Sequence, residues 1–136
     1  MMNLLADLKR SDKVLDPFSG SGAITEVTYK YFKVEYITSI DIKQGTEQDF
    51  FKLDENQKFD KIITDPPWGN EQKLDNVSKF YNDLFNKTKK MLNNQGELIL
   101  LTSFKVNNMP DEFAKLKEYN LSVSGKKAKL YKFKLK

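Results

Sequence analysis

The run Thr64-Asp65-Pro66-Pro67-Trp68-Gly69 joins an acid, two prolines and the chain's single tryptophan. Prolines fix the backbone and carry no N–H, so nearby carbonyls stay available to other donors. A planar base can stack on Trp68, a contact worth about 1–3 kcal/mol. Asp65 and the Pro66 carbonyl can then both accept hydrogen bonds from one exocyclic amino group. That arrangement aims the nitrogen lone pair at an electrophile, and the proton released can pass to Asp65 or to water. The plainer reading of the same residues is a proline-rich turn.

Three further groups stand in front of this run. Asp16-Pro17-Phe18-Ser19-Gly20-Ser21-Gly22 reads as the end of a strand and a tight turn before a helix. Gly20 and Gly22 let the backbone approach a ligand closely, and the helix start presents free N–H groups to an anionic group such as a carboxylate. Thr25 stands where a dinucleotide fingerprint needs its third glycine, and no Walker lysine follows. An acid at the head of this turn repels phosphate and attracts a cationic ligand, such as an ammonium or a sulfonium. Asp41 lies 19 residues beyond Gly22, a spacing at which an acid accepts hydrogen bonds from ribose hydroxyls; a helix cap is the alternative. Asp49 can accept a hydrogen bond from an adenine amino group with Phe50 covering the ring, or it is an acid in a surface loop.

Absent residues narrow the chemistry further. The 136-residue chain has no cysteine and no histidine. Disulfides, thiolate nucleophiles, serine–histidine triads and most zinc or iron sites are excluded, and no metal is expected. Hydrophobic residues make up 39% and charged residues 31% of the chain, a globular composition. No apolar run approaches the roughly 20 residues that span a bilayer. The start, MMNLLADLKR, has no signal-peptide core, so a cytoplasmic location is expected. The net charge is +4, and six of the last eleven residues are lysines. Such a basic edge suits a polyanion or guards a solvated edge strand.

These groups need a scaffold, and the pattern supplies one. Leu4, Leu5 and Leu8 predict a helix over 3–9. Strands are predicted at 13–16, 36–41, 61–64 and 97–102, and helices at 23–32 and 74–92. Residues 110–118, opened by Pro110, read as a further helix. The tail reads as two strands, 121–124 and 130–135, around Gly125. The stretch between Asp41 and Asp60 is short for a full helix and strand, so a reduced third strand is expected. Strands alternating with helices predict an α/β fold over 1–136, one domain with a mostly parallel sheet, an antiparallel last strand and helices on both faces. Ligands in such sheets sit beyond the carboxyl ends of the strands, where Asp16, Asp41, Asp65 and Thr102 fall.

Together the motifs resemble those of the S-adenosylmethionine-dependent amino-methyltransferases of nucleic acids. VLDPFSGSG is similar to their cofactor loop, SID to their ribose acid, QDF to their adenine contact and TDPPWG to their catalytic motif, in cofactor-first order. The run KFDKIITDPPWG, followed by FYNDLF and GELILLT, most resembles the RNA methylase group that includes THUMP-associated tRNA guanine-N2 methyltransferases. The resemblance spans about Leu4 to Thr102 and implies a Rossmann-like class I methyltransferase. It implies that S-adenosyl-L-methionine is held by Asp16, Phe18, Ser19, Gly20, Gly22, Asp41, Ile42, Asp49 and Phe50. It makes Asp65, Pro66, Pro67 and Trp68 the catalytic residues. Lys126, Lys127 and Lys129 are the expected nucleic-acid contacts, with RNA preferred over DNA. Members of that group usually carry an N-terminal RNA-binding domain, so this chain is expected to bind RNA weakly and in a salt-sensitive way, with specificity supplied by a separate domain or partner protein. Trp68 stands where the group usually has Tyr, and adenine-N6 enzymes also carry Trp there. Guanine N2 is therefore the first target and adenine N6 of DNA or RNA the second. A catalytically silent subunit that scaffolds a partner is the reading from another class.

Overall fold

The computed structural model describes residues 6–18, 30, 33–34, 36–40, 50–65, 74–106, 109–123 and 125–136. Four strands run parallel: β1 (Lys13–Asp16), β2 (Tyr36–Ser39), β3 (Phe59–Thr64) and β4 (Leu92–Thr102). A hairpin of β5 (Phe113–Val123) and β6 (Lys126–Leu135) completes a six-stranded sheet in the order β2-β1-β3-β4-β6-β5. β6 is antiparallel to both neighbours. This is a Rossmann-like α/β sheet, and its strand order reverses at β1, which touches both β2 and β3.

The apolar strand runs follow from burial on both faces. Leu15, Ile62, Leu98, Leu100, Tyr131 and Phe133 share one core cluster with Leu84 and Phe85 of helix α1 (Leu74–Met91). Their neighbours Val14, Ile63, Ile99 and Leu130 form a second cluster with Ala6 and Val34 on the other face. Along α1, Val77, Leu84, Phe85, Thr88 and Met91 are buried while Ser78, Asn82, Asp83 and Asn86 are exposed. That is the stripe of an amphipathic helix. The helix expected over 23–32 lies outside the described residues, apart from Lys30, which is helical.

Gly96 is required where the chain turns from α1 into the body of β4. Gln95 takes φ of 66°, and a Cβ on Gly96 would lie 2.8 Å from the Asn93 carbonyl oxygen and 3.0 Å from Leu92 Cδ2. The substitution Gly96→Ala should therefore cost about 1–3 kcal/mol of stability. Urea unfolding read by circular dichroism checks it, and an unchanged midpoint would contradict the tight packing.

Two expected helices differ from the structure. Residues 6–9 form a turn with Asp7 at φ of 51°, and Asp12 accepts a hydrogen bond from the Lys9 N–H at 2.8 Å; residues 1–5 lie outside the described residues. The helix expected over 110–118 is instead the start of β5. One turn survives, closed by the Phe113 N–H to the Pro110 carbonyl at 3.0 Å. Pairing with β6 then runs from Phe113 opposite Leu135 to Val123 opposite Lys126, with a register shift between Lys115 and Lys117. The extra residue, Leu116, gives Phe113, Leu116 and Tyr119 a spacing of three that imitates a helical face. Among the described residues a 3-10 turn at Phe50–Lys52 stands between β2 and β3; residues 41–49, where much of the expected reduced strand would fall, lie outside the described residues.

Candidate active site

The parallel strands all point their carboxyl ends at one edge of the sheet, and the candidate residues gather there. β1 ends at Asp16, which is 1% exposed. Its Oδ1 accepts a hydrogen bond from the Phe18 N–H at 3.3 Å, and its carbonyl accepts one from the Ile40 N–H at 2.9 Å. The bond to Phe18 turns the chain sharply after the strand, as short acidic side chains do. β3 ends at Thr64, and Asp65 follows it, exposed. β1 and β3 are neighbours, about 4.8 Å apart, so Asp16 and Asp65 flank the place where the strand order reverses. Crevices at that position take ligands in sheets of this kind.

An aromatic wall lines the α1 side of this edge. The Phe18 ring meets Phe50 at 6.0 Å and Phe80 at 5.7 Å between centroids. Phe51 packs on Phe80 at 5.9 Å, Phe80 on Tyr81 at 5.3 Å and Tyr81 on Phe104 at 6.0 Å. The wall joins the turn after β1, the 3-10 turn, α1 and the loop after β4. Phe18 and Phe50, expected at the cofactor, are thus brought together, with Phe50 itself buried. Ser19, Gly20, Gly22, Asp41, Ile42, Asp49, Pro66, Pro67 and Trp68 lie outside the described residues.

The loop after β4 is held by two phenols that the sequence reading did not assign to the site. Tyr81 Oη and Thr102 Oγ1 are 2.6 Å apart, and Thr102 Oγ1 accepts the Phe104 N–H at 3.1 Å. Tyr131 Oη accepts the Val106 N–H at 3.0 Å. Burial raises the Tyr81 pKa above its ordinary value, the bond to Thr102 works against this, and the nearby charge of Asp65 adds to the rise. Tyr81 therefore stays a neutral phenol beside Asp65. Its only signal in the sequence is a hydroxyl on an otherwise apolar helix face. Tyr81→Phe should cost about 1 kcal/mol of stability through the lost bond to Thr102. Chemical denaturation measures it, and no change would contradict the clamp.

The lysine tail is divided by the direction of β6. Because β6 is antiparallel to β4, Lys129 sits opposite Thr102 at the carboxyl edge, and Lys134 sits opposite Glu97 at the other end. Lys126 and Lys127 are exposed at the start of β6. Lys129 Nζ donates to Asn120 Oδ1 at 2.5 Å and lies 3.6 Å from the Glu118 carboxylate. Lys132 is buried, 3.3 Å from Glu97 and 3.1 Å from Asp7, and Glu97 also pairs with Lys61. Burial opposes the Lys132 charge, but the two carboxylates outweigh it and hold its pKa above the ordinary lysine value. Lys132 thus ties the segment before β1 to the sheet.

A cavity of about 870 Å³ opens at the amino ends of the strands, among Lys13, Tyr36, Lys58, Asp60 and Asn93, away from the strand-end acids. Asp60 there accepts the Lys13 N–H and the Asn93 side-chain amide, each at 2.9 Å. A second cavity, of about 560 Å³, lies at the carboxyl edge between Ser103 and the start of β6. No group of metal-ligating side chains occurs among the described residues, and none of their helices is long and apolar enough to cross a membrane.

Known proteins share this architecture. TrmN from Thermus thermophilus superposes with a TM-score of 0.83 at 20% identity, over 99% of this chain and 47% of that one. NSun6 from Pyrococcus horikoshii superposes at 0.74 with 14% identity, over 98% of this chain and 50% of that one. The N-methyltransferase NodS from Bradyrhizobium japonicum, solved in complex with S-adenosyl-L-homocysteine, gives 0.62 at 11% identity, over 92% and 79% of the two chains. At these identities the likeness shows the fold, and the chain spans about half the length of the TrmN structure. No curated protein matches the sequence. The family model for the RMKL-like methyltransferase domain matches residues 33–128, well over half of the chain, and with a strand order that reverses between Asp16 and Asp65 this chain belongs to that family.

Proposed function

We propose that this chain transfers a methyl group from S-adenosyl-L-methionine to an exocyclic amino group of a purine in RNA, with guanine N2 as the target. The observation that carries the reading is the placement of Asp16 and Asp65 on neighbouring strand ends, on either side of the reversal in strand order. The residues present fit the cofactor: a buried carboxylate at the head of the turn suits a cationic amino acid, and apolar rings line the adjoining wall. The bound S-adenosyl-L-homocysteine of NodS, on the same fold, supports the choice of cofactor.

When bound, S-adenosyl-L-methionine would supply the methyl group from its sulfonium, whose sulfur would be left as a neutral thioether. Asp16, whose carboxylate accepts the Phe18 N–H, would hold the cationic end of the cofactor ahead of Ser19, Gly20 and Gly22 in the sequence, and Asp41 would accept hydrogen bonds from the ribose hydroxyls. Asp65 and the Pro66 carbonyl would accept hydrogen bonds from the two N–H groups of the target amine, so that its lone pair lies in line with the methyl group, and the proton lost by the methylated amine would pass to Asp65 or to water. Trp68 stacks on the base. Tyr81 and Thr102 fix the neighbouring loop, so the work of the site is positioning in a place shielded from water. Adenine N6 is the competing target, favoured by Trp68 in the motif. A separate RNA-binding domain or partner supplies selectivity, because the described surface outside the strand ends offers RNA little beyond lysines.

Incubation with cofactor and unmodified tRNA, or with DNA, followed by nucleoside mass spectrometry, tests the reading. N2-methylguanosine from tRNA is the expected product. N6-methyladenosine would move the assignment to adenine, and no methylated nucleoside with cofactor bound and a partner domain added would overturn it.

A further inference from the structure

The cavity of about 560 Å³ at the carboxyl edge is lined by Ser103, Asn120, Ser122, Lys127 and Lys129. Its chemistry is specific in kind. Three residues with neutral hydrogen-bonding side chains, two lysines, Leu121 and Ala128 line it, with no acid and no aromatic ring. Ser103 Oγ is buried and has no hydrogen-bond partner, which is costly for a hydroxyl unless a ligand completes it. Lys129 is already committed to Asn120 and lies beside Glu118, and Glu118 is itself paired with Lys115 at 2.9 Å. Lys127 is exposed and makes no ion pair among the described residues. The cavity thus offers an anion one uncommitted ammonium and a ready hydroxyl donor.

Position selects the anion. Thr64 pairs with Leu100 in β4, and Thr102 pairs with Lys129 in β6. The cavity therefore stands two strand spacings from Asp65 along the same edge, roughly 10 Å. We propose that it binds a backbone phosphate of the RNA next to the target nucleotide, through the Lys127 ammonium and the Ser103 hydroxyl. This rests on the RNA reading given above and adds to it a named phosphate site. Without an aromatic platform the cavity holds the strand and reads no base. Its place fixes how the strand crosses the sheet, over the end of β4 from β3 towards β6.

Fluorescence anisotropy of the full chain with a labelled single-stranded RNA, titrated with salt, tests the site. Lys127→Ala should lower the slope of log affinity against log salt by about 0.7, the value for one phosphate contact on a single strand. Ser103→Ala should weaken binding about tenfold with the slope unchanged, since a neutral group releases no counterion. Lys117, exposed on the opposite face of β5, serves as control, and Lys117→Ala should change neither quantity. Melting temperature reports the fold of each variant. An equal fall in slope for Lys117→Ala and Lys127→Ala would show diffuse charge attraction and overturn the site. So would an unchanged slope in Lys127→Ala, or displacement of the RNA by polyglutamate at equal charge. A wild-type chain with no salt-dependent RNA affinity, yet able to bind S-adenosyl-L-homocysteine, would overturn the RNA reading itself and this site with it.

Discussion

Replacing Asp65 with alanine should lower the rate of methyl transfer by about two to three orders of magnitude while leaving cofactor affinity nearly unchanged. The expectation follows from where charge develops. As the amine attacks the methyl group its N–H bonds become more acidic, so a carboxylate that accepts one of them is bound more tightly in the transition state than in the ground state. Removing preorganised electrostatic contacts of this kind costs such factors in other enzymes. Asp65 is exposed just after β3, so its truncation opens no cavity in the core and the fold should survive. Asp65→Asn keeps the shape and can still accept one hydrogen bond, so it should fall between the two. Single-turnover rates with calorimetric cofactor affinities separate the effects. Near-normal turnover in Asp65→Ala would remove the catalytic assignment.

The second large effect belongs to the cofactor. Asp41→Ala should weaken S-adenosyl-L-homocysteine binding by about 1.5–3 kcal/mol, the worth of hydrogen bonds to a charged group. That is roughly 10- to 150-fold by calorimetry. Asp41 follows β2, whose last residue Ser39 pairs with Asp16 of β1, so the ribose and the cationic end of the ligand would lie across adjacent strands. The methyl-transfer rate at saturating cofactor should fall far less than in Asp65→Ala. Unchanged affinity in Asp41→Ala would remove the ribose assignment.

Much of the scaffold could be read from the residues because burial leaves a direct mark on composition. KVLD, KIIT and ELILLT are apolar on both faces, and the structure buries both. Acids at their ends interrupt that pattern, which is why Asp16 and Asp65 stood out. What escaped the sequence reading depends on long-range pairing. The bulge at Leu116 shifts the alternation of β5 and imitates a helix until β6 is alongside. The clamp between Tyr81 and Thr102 joins a helix to a strand end, and no local spacing announces it. The lysines of the tail read as one basic edge. Only the antiparallel direction of β6 carries Lys127 and Lys129 to the carboxyl edge and leaves Lys132 buried in a network with Glu97 and the exposed Asp7.

A crystal structure of the chain grown with S-adenosyl-L-homocysteine tests the account most directly. The ligand should lie across the carboxyl ends of β1 and β2, with its ribose on Asp41, its ammonium near Asp16 and its sulfur turned towards Asp65. A ligand in the cavity among Lys13, Tyr36 and Asp60 at the opposite end of the sheet would contradict the account, as would a ligand at the carboxyl edge with its sulfur turned away from Asp65.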